Sequence, residues 1–194
     1  MYSLAKRIRH IALPEEIILS CELITEIDES KNRDEVESVS GAVLIRSMAK
    51  KFLSVNHLEV YTPKSEKPKA FVGDNELSVS FSHTKEAISA AISFDYLVGC
   101  DLECLDRSVN PALIPRMKGE NETEELYKFE PIRIWTCKEA ALKMIGTGLR
   151  KPMKSVNLDQ VDSNLFDVEF DNGIRAKICS FQHMDYWISI CYQK

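Results

Sequence analysis

Three groups of residues have the types and spacing that chemistry on a phosphate would need. Asp101 and Glu103 stand two apart in Gly99-Cys100-Asp101-Leu102-Glu103, a segment with the apolar content of a strand. Strand side chains alternate faces, so both carboxylates project to one side, and Gly99 clears space in the same row. Two carboxylates held together repel unless a cation sits between them, and Mg²⁺ favours oxygen ligands of this kind. Glu139 and Lys143 lie one helical turn apart in Trp135-Thr136-Cys137-Lys138-Glu139-Ala140-Ala141-Leu142-Lys143, with Trp135 on the same face a turn earlier. Ser82-His83-Thr84 closes a strand, and a hydroxyl beside an imidazole suits a phosphate oxygen. No Gly-x-Ser-x-Gly elbow surrounds Ser82, so it is not read as a nucleophile.

Each group alone has an ordinary structural explanation. Asp101 and Glu103 would decorate the exposed face of an edge strand, and Glu139–Lys143 would be a surface pair worth ~0.2–0.5 kcal/mol. Lys67, next to Pro68, reads as a solvated loop lysine, and Gly146-Thr147-Gly148-Leu149-Arg150-Lys151 as a helix C-cap followed by surface charge.

The elements that must position these residues follow from periodicity. Val36, Val39, Val43, Leu44, Met48 and Phe52 recur at three- and four-residue steps, an amphipathic helix with Lys50 and Lys51 near its C-terminal end. Residues 57–61 read as a short strand and 63–68 as a loop. Leu77, Val79 and Phe81 alternate with serines as in a half-buried strand, with 88–94 as its neighbour. Asp95-Tyr96 marks a midpoint. Beyond it come a strand over 97–102, a polar irregular region over 107–130, and a helix from Pro131 to about Ile145 with Ile134, Ala141 and Ile145 on its core side. Strand signals then recur at 156–158, 165–170, 174–180 and 186–192, with Asp171-Asn172-Gly173 as a hairpin turn. Strands plus one long helix in each half make an α+β pattern, not a Rossmann alternation.

Composition bounds the function. The 194 residues are 44% hydrophobic with only 7 Gly and 7 Pro, enough apolar material for a core. Lys+Arg number 25 against 30 Asp+Glu, a net charge of −5, which argues against a nucleic-acid or anionic-membrane binder. Residues 15–37 hold nine acids against Lys31 and Arg33, so the rest is net basic. Locally, Lys138, Lys143, Arg150, Lys151 and Lys154 face only Glu139, a positive stretch suited to a phosphorylated donor or an acidic partner. No segment approaches the ~20 apolar residues of a membrane helix, and the start lacks the apolar core of a signal peptide. Six cysteines without a C-x-x-C pair read as reduced, mostly buried thiols of a cytoplasmic protein, not disulfides or zinc ligands.

Taken in order, the motifs are more specific. Gly99-Cys100-Asp101-Leu102-Glu103, Trp135 to Lys143 and Gly146-Thr147-Gly148-Leu149 resemble the signature of the 4'-phosphopantetheinyl transferases, closest to the two-lobed, surfactin-synthetase-activating type. The upstream Gly41-Ala42-Val43-Leu44-Ile45-Arg46, Lys67-Pro68 and Ser82-His83-Thr84 fall in family order, so the resemblance spans about 36–152.

The resemblance implies two similar lobes, 1–94 and 95–194, each a mainly antiparallel sheet on a long helix, related by a pseudo-twofold with the active site between them. It implies transfer of phosphopantetheine from coenzyme A to a serine of an apo acyl or peptidyl carrier protein, releasing adenosine 3',5'-bisphosphate, by a monomer. Asp101, Glu103 and Glu139 would hold Mg²⁺, Lys143 would contact a phosphate, Ser82 and His83 the pyrophosphate or ribose-phosphate, and Lys67 the nucleotide phosphates. Glu139 and Lys143 are thus the catalytic pair. Glu139, Glu120, Glu122 or a metal-bound water would take the serine proton. Relatives carry a basic cluster before the first helix for the 3'-phosphate; here Lys31 and Arg33 sit among acids. In the short 107–130 segment, where the carrier would dock, Ile114, Met117 and Leu126 supply apolar contacts. Two other functions use the same residues: a non-catalytic module binding coenzyme A or carriers, and a Mg²⁺-dependent phosphohydrolase.

Overall fold

Two antiparallel sheets and two long helices position the candidate residues. The computed structural model describes residues 5–24, 33–63 and 66–194. Lys31 lies outside them, and of the side chains of Arg33, Glu35 and Glu37 nothing is described. Before the midpoint come β1 (Arg7–Ile8), β2 (Ile18–Leu23), α1 (Arg33–Phe52), β3 (Glu59–Tyr61), β4 (Lys69–Val72), β5 (Asn75–His83) and β6 (Ala87–Ser93). After Asp95-Tyr96 follow β7 (Leu97–Cys104), α2 (Ile114–Met117), α3 (Pro131–Met144), β8 (Val156–Asp162), β9 (Leu165–Phe170), β10 (Arg175–His183) and β11 (Tyr186–Gln193). The sheet orders are β1-β2-β6-β5-β4-β3 and β7-β11-β10-β9-β8, an α+β fold that passes from one sheet to the other at the midpoint.

Three apolar clusters bind the layers. One joins α1 to the first sheet through Leu44, Ile45, Met48, Val79 and Ile92, and one joins the two sheets through Leu19, Ala91, Cys100 and Ile190. The third joins α3 to the second sheet through Ile134, Ala141, Phe166 and Ile178. β6, Ala-Ile-Ser-Ala-Ala-Ile-Ser, is buried along its whole length, and its small residues let the second sheet approach closely.

Several expectations need correction. Val39 is 60% exposed, because α1 meets the sheet through Gly41, Leu44, Ile45 and Met48 instead. A side chain at Gly41 would strike the Phe81 ring, only 2.6 Å from the position of its Cβ. Met117 and Leu126, read as carrier contacts, are buried in the α3 cluster. The serines of β5 do not face water. The hydroxyls of Ser78 and Ser80 accept from the backbone N–H groups of Val98 and Cys100 at 3.0 and 2.9 Å, satisfying the otherwise open edge of β7. All six cysteines are free, and all but the partly buried Cys104 are buried.

Candidate active site

α3 lies directly on β7 because Gly99 lacks a side chain. A Cβ there would stand 2.1 Å from Ala140 O and 2.3 Å from Met144 N. The contact brings Glu139 and Lys143 of α3 to the strand carrying Asp101 and Glu103. Gly99→Ala should therefore push α3 off the strand at a cost of about 3 kcal/mol, read by chemical denaturation; an unchanged midpoint would contradict this packing.

Asp101 is 2% exposed, which removes the exposed-edge explanation. Its Oδ1 accepts from Ser82 Oγ at 2.8 Å and from Lys143 Nζ at 2.6 Å, and Lys143 Nζ also donates to Ser82 Oγ at 2.8 Å. The third serine of β5 thus meets the carboxylate of β7 and the lysine of α3 in one triangle. Asp101 Oδ2 is buried with no hydrogen-bond partner. Glu103, 13% exposed, accepts from Arg107 in the turn after β7. That guanidinium lies 5.4 Å from the centroid of the Trp135 ring. His83 Nδ1 lies 3.1 Å from Thr84 O, which makes it the protonated ring nitrogen.

The carboxylates feel one another. Burial first, then the Asp101 charge, pushes the Glu139 carboxyl up to about 7, and burial raises Glu103 despite Arg107. Burial acts to lower the Lys143 ammonium, but Asp101 and Glu139 hold it above its usual range. Glu139 is raised from 4.5 on folding, so its contribution to stability is complete below about pH 4.5 and is lost as pH rises through 7. With chelator present, the melting temperature of the wild type should fall between about pH 5 and about pH 7.5 more steeply than that of Glu139→Gln. Parallel curves would contradict the clustering.

Lys67 is not a solvated loop lysine. Its Nζ donates to Met144 O at 3.0 Å, capping the last turn of α3 across the seam between the sheets, and burial draws it down to about 8. Gly146, at φ +74°, ends α3 in a backbone conformation that favours glycine. Lys67, Ser80, Phe81, Lys143, Gly148 and Arg150 line a cleft of about 510 Å³ beside the Asp101–Lys143–Ser82 triangle. A larger hollow of about 850 Å³ lies on β8–β10, away from the carboxylates, and its Arg175–Glu169 and Lys177–Asp167 pairs neutralise each other.

The positive stretch at 138–154 is divided, with Arg150 and Lys154 exposed and Lys138 internal. Lys138 is fully buried against Glu122, and Lys151 pairs with Asp171. Glu122, a candidate base, accepts from Lys138 and Leu158 N on one oxygen and from Gly119 N and Tyr127 on the other. Four bonds in a sealed site leave it no access to a substrate proton. Glu120 is exposed in the turn after α2. Arg107 had no signal in the sequence, since a pair four apart is expected on helices, and this one forms across a turn.

Residues 97–191, which carry β7, α3 and the second sheet, match the model of the 4'-phosphopantetheinyl transferase superfamily. The 4'-phosphopantetheinyl transferase gsp of Aneurinibacillus migulanus is similar to this chain, 28% identical over 170 residues that cover 76% of the chain and 70% of the relative. The segment 97–191 belongs to the 4'-phosphopantetheinyl transferase superfamily. Asp101, Glu103, Glu139 and Lys143 fall inside the matched segment, whereas Lys67 and Ser82 reach the same seam from the preceding half; His83, the next residue of β5, has its Nδ1 at Thr84 O.

Among the described residues no three His, Cys, Asp or Glu side chains converge as a ready metal cage. Asp101 and Glu103 are turned to Lys143 and Arg107 instead. The donor set nonetheless fits a divalent cation: three carboxylates, two of them raised by burial, and a buried Asp101 oxygen without a partner.

Proposed function

We propose that this enzyme transfers phosphopantetheine from coenzyme A to a serine of an apo carrier protein and releases adenosine 3',5'-bisphosphate. The observation that carries the proposal is the Lys143–Asp101–Ser82 triangle, with an unpartnered carboxylate oxygen, whose Lys143 lines a cleft large enough for a nucleotide. A pyrophosphate entering there meets positive charge from Lys143 and a hydroxyl from Ser82, with His83 at the same strand end. Lys67 reaches the cleft from the other wall and would face the nucleotide phosphates. Mg²⁺ held by Asp101, Glu103 and Glu139 would neutralise the pyrophosphate and template the in-line displacement. The serine oxygen of the carrier bonds to phosphorus as the bridging oxygen leaves with the nucleotide, and Glu139 takes the serine proton. Glu139 is our choice because it lies among the carboxylates with a carboxyl raised to about 7, whereas Glu122 is sealed.

Both walls come from one chain, which supports a monomer, and the two sheet-plus-helix halves support a pseudo-twofold. We read the protein as cytoplasmic, acting without nucleic acid or membrane on carriers of fatty-acid, polyketide or peptide synthesis. No helix among the described residues is long and apolar enough to cross a membrane. Nucleotide release separates the alternatives. Transfer yields adenosine 3',5'-bisphosphate only when apo carrier is present; release without carrier would indicate a phosphohydrolase, and coenzyme A binding without release a non-catalytic module.

A further inference from the structure

Glu103 and Arg107 form a pair that phosphoryl transfer does not require. Three acids, Asp101, Glu103 and Glu139, meet two cations, Lys143 and Arg107. The cations are held differently. Lys143 projects from α3 between Ser82 and Asp101 and is 27% exposed. Arg107 reaches in from a turn whose backbone is fixed by Arg107 N to Cys104 O at 3.1 Å and Leu105 N to Asp185 O at 3.0 Å. Its side chain is 48% exposed, resting on the Trp135 face with one nitrogen on Glu103. Glu103, Glu139 and Asp101 all act to hold the guanidinium charged, against its burial.

We propose that Arg107 is a tethered counter-ion of the carboxylate group that competes with a divalent cation for Glu103. The proposal rests on the metal reading above. A dication bound to Glu103 would stand beside a guanidinium on the same carboxylate, so like charges repel and one must yield. Lys143 is fixed by two bonds on a packed helix. Arg107 has a free path to solvent, and only its side chain needs to move. The pair is therefore a built-in competitor: it keeps the buried acids compensated before the cation arrives and weakens cation binding by the strength of one half-exposed ion pair. Arg107 acts through Glu103 and is a positioning residue.

The test is Mn²⁺ binding to the full chain, followed by the loss of free Mn²⁺ signal in electron paramagnetic resonance. Arg107→Gln should tighten binding about two- to fivefold, the range expected for releasing a half-exposed pair. Arg107→Lys should stay near wild type. In a Glu103→Gln background, Arg107→Gln should leave the remaining affinity unchanged. A second readout is Trp135 emission: Mg²⁺ should shift it in the wild type as the guanidinium leaves the ring, and not in Arg107→Gln. If the wild type binds Mn²⁺ and Glu139→Gln abolishes binding, yet Arg107→Gln binds no more tightly than wild type, competition is wrong and the metal reading stands. If the wild type binds no Mn²⁺, both fall.

Discussion

Glu122→Ala should destabilise the fold by about 3–5 kcal/mol, the cost of leaving a buried charge without its partner. Lys138 is fully buried, and its ammonium donates to Glu122 and to Val156 O, each at 2.6 Å. Burial already draws the Lys138 ammonium down, and Glu122 opposes that. Removing the carboxylate also orphans Gly119 N, Leu158 N and the Tyr127 hydroxyl in one step. The pair ties the segment after α2 and the start of β8 to α3, one residue before Glu139. Denaturant unfolding should show Glu122→Ala and Lys138→Met each losing stability, with the double variant losing clearly less than both together. Stability within about 1 kcal/mol of wild type, with transfer abolished, would instead restore Glu122 as the proton acceptor.

Glu139→Ala should lower transfer by about a thousandfold or more, corresponding to several kcal/mol of lost charge stabilisation at the reacting phosphate. Asp101→Ala should do the same, because it removes both the partner of Lys143 and the unpaired oxygen. The Glu139→Ala loss would not come from unfolding. Glu139 carries a carboxyl that folding raises, so its removal should leave stability above pH 7 equal to or better than wild type. Parallel losses of melting temperature and transfer would contradict a chemical role.

Much of this was legible in the sequence. Pro131 and Gly146 bracket α3 because proline accepts the first helical turn and glycine the left-handed exit. β9 and the hairpin after it follow from period-two alternation and the Asp-Asn-Gly turn. Asp101, Ser82 and Lys143 were singled out separately, and the fold brings them within hydrogen-bonding distance. What was not legible depended on long-range contacts. β2 lies in an acidic stretch whose charge masked Ile18–Leu23, and β4 sits just after a loop of lysine and proline. The β5 serines looked like a solvent face because nothing local says that a second sheet edge needs their hydroxyls. Lys138 looked like surface charge because its carboxylate lies sixteen residues away.

The most direct measurement is the intact mass of a purified apo carrier after incubation with this protein, coenzyme A and Mg²⁺. A transferase adds one phosphopantetheine to the carrier, and Glu139→Ala does not. An unchanged carrier mass across acyl and peptidyl carriers, or undiminished transfer by Glu139→Ala, would contradict the assignment.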